Sequence, residues 1–438
     1  MRFDSISITN MRLVGNQTRT INIDKEKNIV ILLGDNGFGK TTFLDAMATT
    51  MAPYPAQFPG ISDFQLSDLD VHINSKGNRS EYLTVEAALS ESNKSFTCKR
   101  YRKGTSNPPR ASYEELKEDA NEKKNAIIEG KEIELPVFAY YGTGRGRFHV
   151  PERKRGFKQT FDRWDCYKSA ILPDTDFKRF FEWFDLMEDD ERREREKLRD
   201  FDYKSPILEC VRTALSSIVD SYTTPRIETK PLRFVMDRVE QDGARHELRI
   251  EQLSEGYKIV IAMVADLAAR MVEANPEMTD PLKTTGIVLI DEVDLHLHPK
   301  WQRKILKQLS SVFPNVQFIV STHSPIIVVG AADIAQVVNL NNLSATENEM
   351  EYNVSNSNIG QVLLSELFGL ESLQSPYWDD KIQERDRILA KPELTKEDEA
   401  RLAELDEELK GLTSLQDSNA IRSTQLLEKL ARQLNIEL

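Results

Sequence analysis

Eight consecutive residues, Gly34-Asp35-Asn36-Gly37-Phe38-Gly39-Lys40-Thr41, fit the spacing GxxxxGK[ST]. They sit between a buried apolar run, NIVILLG, and a segment with helical apolar spacing, TTFLDAMATTM, that opens with Thr41 and Thr42. A strand, a glycine-rich turn and a helix start in that order curl backbone N–H groups around phosphates, and the helix adds its partial positive end. Lys40 is placed to reach the β- and γ-phosphates of a nucleotide, and Thr41 to offer its hydroxyl to Mg²⁺.

Two further strands end in reactive groups. Ile287-Val288-Leu289-Ile290 runs into Asp291-Glu292. At the carboxyl end of a parallel strand, Asp291 suits the shell of a Mg²⁺ ion and Glu292 suits a general base for an attacking water. Phe318-Ile319-Val320-Ser321-Thr322 leads to His323. Between these blocks, Leu253-Ser254-Glu255-Gly256-Tyr257-Lys258 opens a helix, EGYKIVIAMVADLAARMVEA. Each of the last three blocks is weak alone. Their order along the chain, after a phosphate loop, makes them specific.

The elements that must position these groups follow from periodicity. Strand-like alternation opens the chain and returns in EYLTVEAAL and KSFTCKRYR as an antiparallel hairpin. The charged stretch from Ser112 to Lys131 reads as an exposed helix, and ELPVFAYYG as a buried strand. Phe177, Phe180, Phe181, Phe184 and Met187 recur at helical spacing, as the packed face of a helical insertion. Near the C-terminus, LTKEDEARLAELDEELKGL carries leucines on one side with Thr395 as its cap, and with DDKIQERDRILAKP suggests a helical hairpin. The division expected is 1–150 for an ATPase lobe with the phosphate loop and antiparallel strands, 151–224 for the helical insertion, 225–345 for the lobe with Ser254, Asp291 and His323, and 346–438 for a helical partner- or oligomer-binding region.

Composition restricts the classes. The chain has 438 residues, a net charge of −13 and 39% apolar residues. No apolar run reaches the length of a membrane span, no leader pattern opens the chain, and the three cysteines lack metal-ligand spacing. A cytoplasmic protein with reduced thiols is expected, without membrane contact. The acidic balance argues against bulk attraction to nucleic acid. One stretch, GTGRGRFHVPERKRGFK, is locally basic from Arg145 to Lys158 and is a candidate nucleic-acid or phosphate contact.

The set GDNGFGKTT, PVFAYYGTGR, FFEWFDLMEDDE, LSEGYK, VLIDEVDLHLHPKWQ and VSTHSP resembles the compact RecF-like ABC ATPases of bacterial anti-phage systems. It is most like PtuA, the ATPase subunit of Septu and of Septu-type retrons. The resemblance covers about the first three quarters of the chain. It implies an α/β fold: an ABC-type ATPase head, that is, a P-loop NTPase with a mixed sheet and an antiparallel lobe, carrying a helical insertion and a helical C-terminal extension. ATP and Mg²⁺ are the implied cofactors. Ser254, Glu255 and Gly256 take the place of the signature that meets the γ-phosphate held by an opposite protomer. His323 takes the place of the switch histidine, and Asp294 that of the aspartate crossing the dimer interface. The string Asp294, His296, His298 belongs to this pattern and is not read as a metal site.

The resemblance also implies a homodimer or higher oligomer and a separate HNH nuclease subunit, PtuB-like. The overcoming-lysogenization-defect nucleases share LSEGYK and DEVDLHLHP, but their nuclease motifs are not found between Ser324 and Leu438. Nucleic acid is then reached through the partner or through the 145–158 stretch. The alternative reading is a RecF-like DNA-binding repair or recombination ATPase with no nuclease partner. The family's Q-loop glutamine has two candidates, Gln57 and Gln65.

Overall fold

The structure, a computed structural model, describes residues 1–146, 158, 160–173, 177–219, 222–229, 231–240, 242–342, 354, 356–391 and 393–409. The chain separates into two compact units, Met1–Asn353 and Val354–Leu438.

Strands of the first unit are β1 (Arg2–Thr9), β2 (Arg19–Asn22), β3 (Ile29–Leu33), β4 (Tyr82–Glu91), β5 (Lys94–Lys103), β6 (Val137–Tyr141), β7 (Tyr222–Thr229), β8 (Leu232–Val239), β9 (Arg245–Arg249), β10 (Gly286–Ile290), β11 (Val316–Ser321) and β12 (Ala335–Asn339). Its helices are α1 (Lys40–Met51), α2 (Glu114–Ile128), α3 (Phe177–Leu198), α4 (Pro206–Ile218), α5 (Glu255–Ala274), α6 (Pro299–Gln302), α7 (Ile305–Val312) and α8 (Pro325–Gly330). The second unit holds α9 (Ile359–Leu364), α10 (Pro376–Leu389) and α11 (Lys396–Leu409).

The uninterrupted apolar runs become a parallel sheet in the order β12-β3-β11-β10-β6. Every residue of β3, β6, β10 and β11 is buried, as expected for parallel strands covered on both faces. The alternating runs become an antiparallel sheet, β2-β1-β4-β5. Helix α1 lies against β1, β4 and β5 of that sheet and against β10 and β11 of the parallel one. Mixed α/β architecture with an antiparallel lobe therefore holds, and with it the expected helices and strands of the intervening region.

In that region the aromatic face of α3 is core. Phe177, Phe180 and Phe184 surround Phe234 of β8 with ring centroids 5.7–5.9 Å away. Strands β7, β8 and β9 form a third, antiparallel sheet. The inner side of α5 carries a buried ionic group: Arg270 Nε donates to Asp266 Oδ2 at 2.7 Å, and Tyr141 Oη donates to the same oxygen at 2.9 Å. Arg179 of α3 pairs with Glu273 of α5. Helices of the insertion are thus tied to the helix that Ser254 opens and to the strand that ends at Tyr141.

Within the second unit α10 and α11 pair as the expected hairpin, with Arg401 holding Glu384 at 2.8 and 3.0 Å and Arg385 holding Asp406 at 2.6 Å. Thr395 caps α11, accepting from Asp398 N at 3.2 Å while its own N–H donates to Asp398 Oδ2 at 3.1 Å. Leu405 and Leu409 are buried, and Leu412 lies outside the described residues. Among the described residues no helix is long and apolar enough to cross a membrane.

Candidate functional site

Parallel pairing fixes the site before any side chain is considered. All five strands of that sheet point the same way, so Gly34 after β3, Asp291 after β10, Thr322 after β11, Gly142 after β6 and Leu340 after β12 emerge at one edge. This is where open α/β sheets bind ligands.

Residues Gly34 to Gly39 form the loop between β3 and α1. Gly39 sits just before α1 at φ 95°, and no side chain caps the helix, which leaves its first N–H groups to an anion. Asp35, Asn36, Gly37 and Phe38 are exposed, and Thr42 is buried. Lys40 is 8% exposed, and its ammonium donates to the carbonyls of Gly34 at 2.7 Å and Asp35 at 3.1 Å. Burial lowers its pKa, against the pull of Asp291, Glu292, Asp35 and Asp294. The lysine and the three acids after β10 therefore share one electrostatic neighbourhood.

Thr41 Oγ1 donates to Asp291 Oδ2 at 2.8 Å, and Ser321 Oγ donates to Asp291 Oδ1 at 2.5 Å. A hydroxyl and a carboxylate brought together at the mouth of a phosphate loop are hard oxygen donors of the kind Mg²⁺ takes. Among the described residues no group of three or more His, Cys, Asp or Glu is arranged to hold a metal. The pair Thr41 and Asp291 fits an ion whose other ligands are waters and phosphate oxygens.

Glu292 has φ 48°, a left-handed conformation uncommon for a residue with a Cβ. Its N–H donates to Ser321 Oγ at 2.8 Å, and its main-chain oxygen accepts from Arg145 Nη2 at 2.6 Å and from Leu295 N at 2.9 Å. Arg145 also bonds the carbonyls of Asp291 and of Gly142. Arg145, the first basic residue of the 145–158 candidate contact for nucleic acid or phosphate, is not a free surface cation. It is 5% exposed, because the sharp turn after β10 leaves carbonyls that need a donor. Burial pulls its pKa down to about 10. Lys158 is paired with Asp165, and residues 147–157 lie outside the described ones.

His323 is exposed and is bracketed by two ties. Thr322 Oγ1 donates to Asp294, and Ser324 Oγ donates to Gln302 Oε1 at 2.7 Å. Gln302 Nε2 in turn donates to the carbonyl of Leu297 at 2.9 Å. The loop carrying His323 and the turn carrying Asp294 are thereby one unit. Ser254 stands at the N-cap of α5 without a side-chain cap bond, and Glu255 pairs with Lys258 at 2.9 Å. Ser254 and Glu255 are exposed, whereas Gly256 is buried. A Cβ on Gly256 would stand 2.5 Å from the carbonyl oxygen of His296. The start of α5 therefore packs on the turn after Asp294.

Gln57 donates to the carbonyl of Pro53 at 2.9 Å, accepts from Asn121 of α2, and has its own carbonyl held by Lys124. Gln65 is exposed. The motifs alone did not identify Arg145, Ser321 and Thr322 as supports of the site. Ser321 and Thr322 immediately precede the histidine in VSTHSP, so adjacency was the available signal.

A family model described as "AAA domain, putative AbiEii toxin, Type IV TA system" matches residues 29–329, from the first residue of β3 into α8. The chain belongs to this family, AAA_21. The AAA_21 segment contains the phosphate loop, Ser254, Asp291, Glu292 and His323, and its membership makes the chain an AAA-type ATPase by family. The chain is 28% identical over 348 residues to the retron Vc95 probable ATPase of Vibrio cholerae serotype O1 biovar El Tor, covering 69% of this chain and 67% of that one. It is 26% identical over 381 residues to the retron Ec83 probable ATPase of Escherichia coli, covering 74% and 69%. The expected similarity to PtuA is present: 37% identity over 124 residues with the Septu protein PtuA of Bacillus mycoides (strain KBAB4), covering 28% of this chain and 17% of that one. Among solved structures it is similar to an SMC head bound to the C-winged helix domain of ScpA, with 16% identity, TM-score 0.47, and coverage of 77% of this chain and 94% of that one.

Proposed function

We propose that this AAA_21 protein is the ATP-hydrolysing subunit of a prokaryotic anti-phage defence complex, working as an ABC-type dimer that regulates a separate HNH-type nuclease. The observation that carries the reading is the convergence of Lys40, the Thr41–Asp291 pair and the rigidly held Glu292 at one sheet edge. The names of the retron and Septu relatives supply the biological setting.

In this reading the loop amides, the α1 N-terminus and Lys40 bind the β- and γ-phosphates. Mg²⁺ held at Thr41 and Asp291 would neutralise charge on the phosphate oxygens. Glu292 accepts a proton from the attacking water. His323 senses the γ-phosphate, and its ties through Thr322 and Gln302 carry that contact to Asp294 and the start of α5. Exposed Ser254 at that start faces a nucleotide bound by a second protomer, while buried Gly256 seats the helix start on the Asp294 turn. Two composite sites make nucleotide binding and association favour each other. Helix α3, tied to α5 through Arg179 and Glu273, and helix α4, tied to α3 through Arg212 and Glu191, are the route by which closure reaches a partner.

The test is co-expression of the tagged chain with its neighbouring genes, followed by mass spectrometry of what co-purifies. A stoichiometric HNH protein is the expected result. A homo-oligomer accompanied only by DNA would overturn the nuclease-regulator part in favour of a RecF-like activity.

A further inference from the structure

Two sets of bonds hold the first residues of the phosphate loop. Lys40 donates to the carbonyls of Gly34 and Asp35. From the other side, 306 residues along the chain, Asn341 holds Asp35 twice. Its Oδ1 accepts from Asp35 N at 2.9 Å, and its Nδ2 donates to Asp35 Oδ2 at 3.2 Å. Asn341 is itself anchored, since its N–H donates to Asn339 Oδ1 at 3.0 Å and Asn339 is 4% exposed. The adjoining Leu340 is fully buried. Gly34 is fitted to this platform: a Cβ there would lie 3.1 Å from Asn341 Oδ1 and 3.2 Å from Leu340 Cβ.

We infer that Asn341 is a positioning residue of the phosphate loop, holding residues 34–35 in their phosphate-accepting shape and restraining the Asp35 carboxylate. The inference rests on the ATP-binding reading above, and its physical basis is a division of labour. The ammonium of Lys40 has to turn toward the phosphates when they bind, which takes it from the Gly34 and Asp35 carbonyls. The Asn341 pair involves neither the lysine nor those carbonyls, so it persists through binding. Asp35 also brings a negative charge to a loop whose ligand is strongly anionic, and an unheld carboxylate there would repel the phosphates. An amide suits this position because it accepts from the Asp35 N–H and donates to the Asp35 carboxylate at once.

Full-length variants test this with equilibrium binding of a fluorescent ATP analogue, ATP hydrolysis and thermal unfolding, all in Mg²⁺. Asn341→Ala is expected to weaken nucleotide binding and raise KM about ten-fold, with kcat at saturation within about two-fold and thermal unfolding little changed. Asn341→Asp keeps the acceptor for Asp35 N–H but sets two carboxylates against each other, and binds more weakly than Asn341→Ala. The exchange Asp35→Asn with Asn341→Asp restores both hydrogen bonds with the side-chain roles reversed, and returns binding to within about three-fold of wild type. An Asn341→Ala variant that binds like wild type, or an exchanged pair no better than Asn341→Asp alone, overturns the inference. Lys40→Ala is the control: if wild type binds no more nucleotide than Lys40→Ala, it is the ATP reading that fails.

Discussion

The guanidinium of Arg145 lies across the end of β10, donating at 2.6 Å to the main-chain oxygen of Glu292, a residue 147 positions away in the chain. Ser321 holds the Glu292 N–H from the neighbouring strand β11. The proposed base is thus fixed through its backbone from two other strand ends, β6 and β11. A left-handed glutamate costs roughly 1–2 kcal/mol, and such a conformation persists where surrounding bonds over-determine it.

Arg145→Ala removes the stronger of these holds and leaves the phosphate loop untouched. ATP binding should stay within a few-fold of wild type while kcat falls by on the order of 10²-fold, the scale expected when a reacting group shifts by about 1 Å. Arg145→Lys, with one charged donor centre in place of a fork, should recover part of the loss. Steady-state kinetics with a separate binding measurement decides this, and an unchanged kcat would remove Arg145 from the site.

Gly256→Ala places a methyl 2.5 Å from the His296 carbonyl oxygen, too close for the start of α5 to keep its seat on the Asp294 turn. If that start acts on nucleotide held by a second protomer, single-chain ATP binding should survive while hydrolysis drops ten-fold or more (about 1.4 kcal/mol or more in barrier). Sedimentation with and without ATP should show the loss of nucleotide-driven association. Intact association and turnover would show that α5 does not contribute in this way.

Much of this was legible in the sequence, for a physical reason. The phosphate loop, the Asp291-Glu292 pair and His323 each occupy a strand end, and a strand followed by a turn is a local pattern with its own apolar signature. The aromatic face of α3 and the α10–α11 hairpin were legible on the same ground. Arg145 was misjudged because its neighbours in sequence, Arg147 and Arg153 to Arg155, describe a basic surface stretch, whereas its neighbours in space are carbonyls after β10. Asn341 carries no local pattern at all. Its meaning depends on the parallel pairing of β12 with β3, which brings the two strand ends together.

Glu188 of α3 is 7% exposed, and burial pushes its carboxyl from an ordinary value of 4.5 up to about 7, even though one oxygen accepts from Ile227 N at 3.0 Å. The folded protein therefore keeps a proton that the unfolded chain releases at lower pH. By linkage this contribution is complete below about pH 4.5 and is lost as pH rises toward about 7. Glu188→Gln should flatten the fall of unfolding free energy across that window by up to ~1.4 kcal/mol per pH unit. Denaturant titrations at pH 5 and pH 7.5 measure it, and an identical slope in the variant would place the titration elsewhere.

Glu292 is proposed above as the base of an ATP site completed by a second copy of the chain. Glu292→Gln keeps the size of the side chain and the backbone bonds to Ser321 and Arg145 while removing the proton acceptor. The deciding experiment is single-turnover hydrolysis and sedimentation of this variant with Mg²⁺–ATP. The expected result is ATP bound at near wild-type affinity, hydrolysis slowed by roughly 10²–10⁴-fold, and an accumulated ATP-bound dimer. Hydrolysis at the wild-type rate, or a variant that binds ATP and stays monomeric, would contradict it.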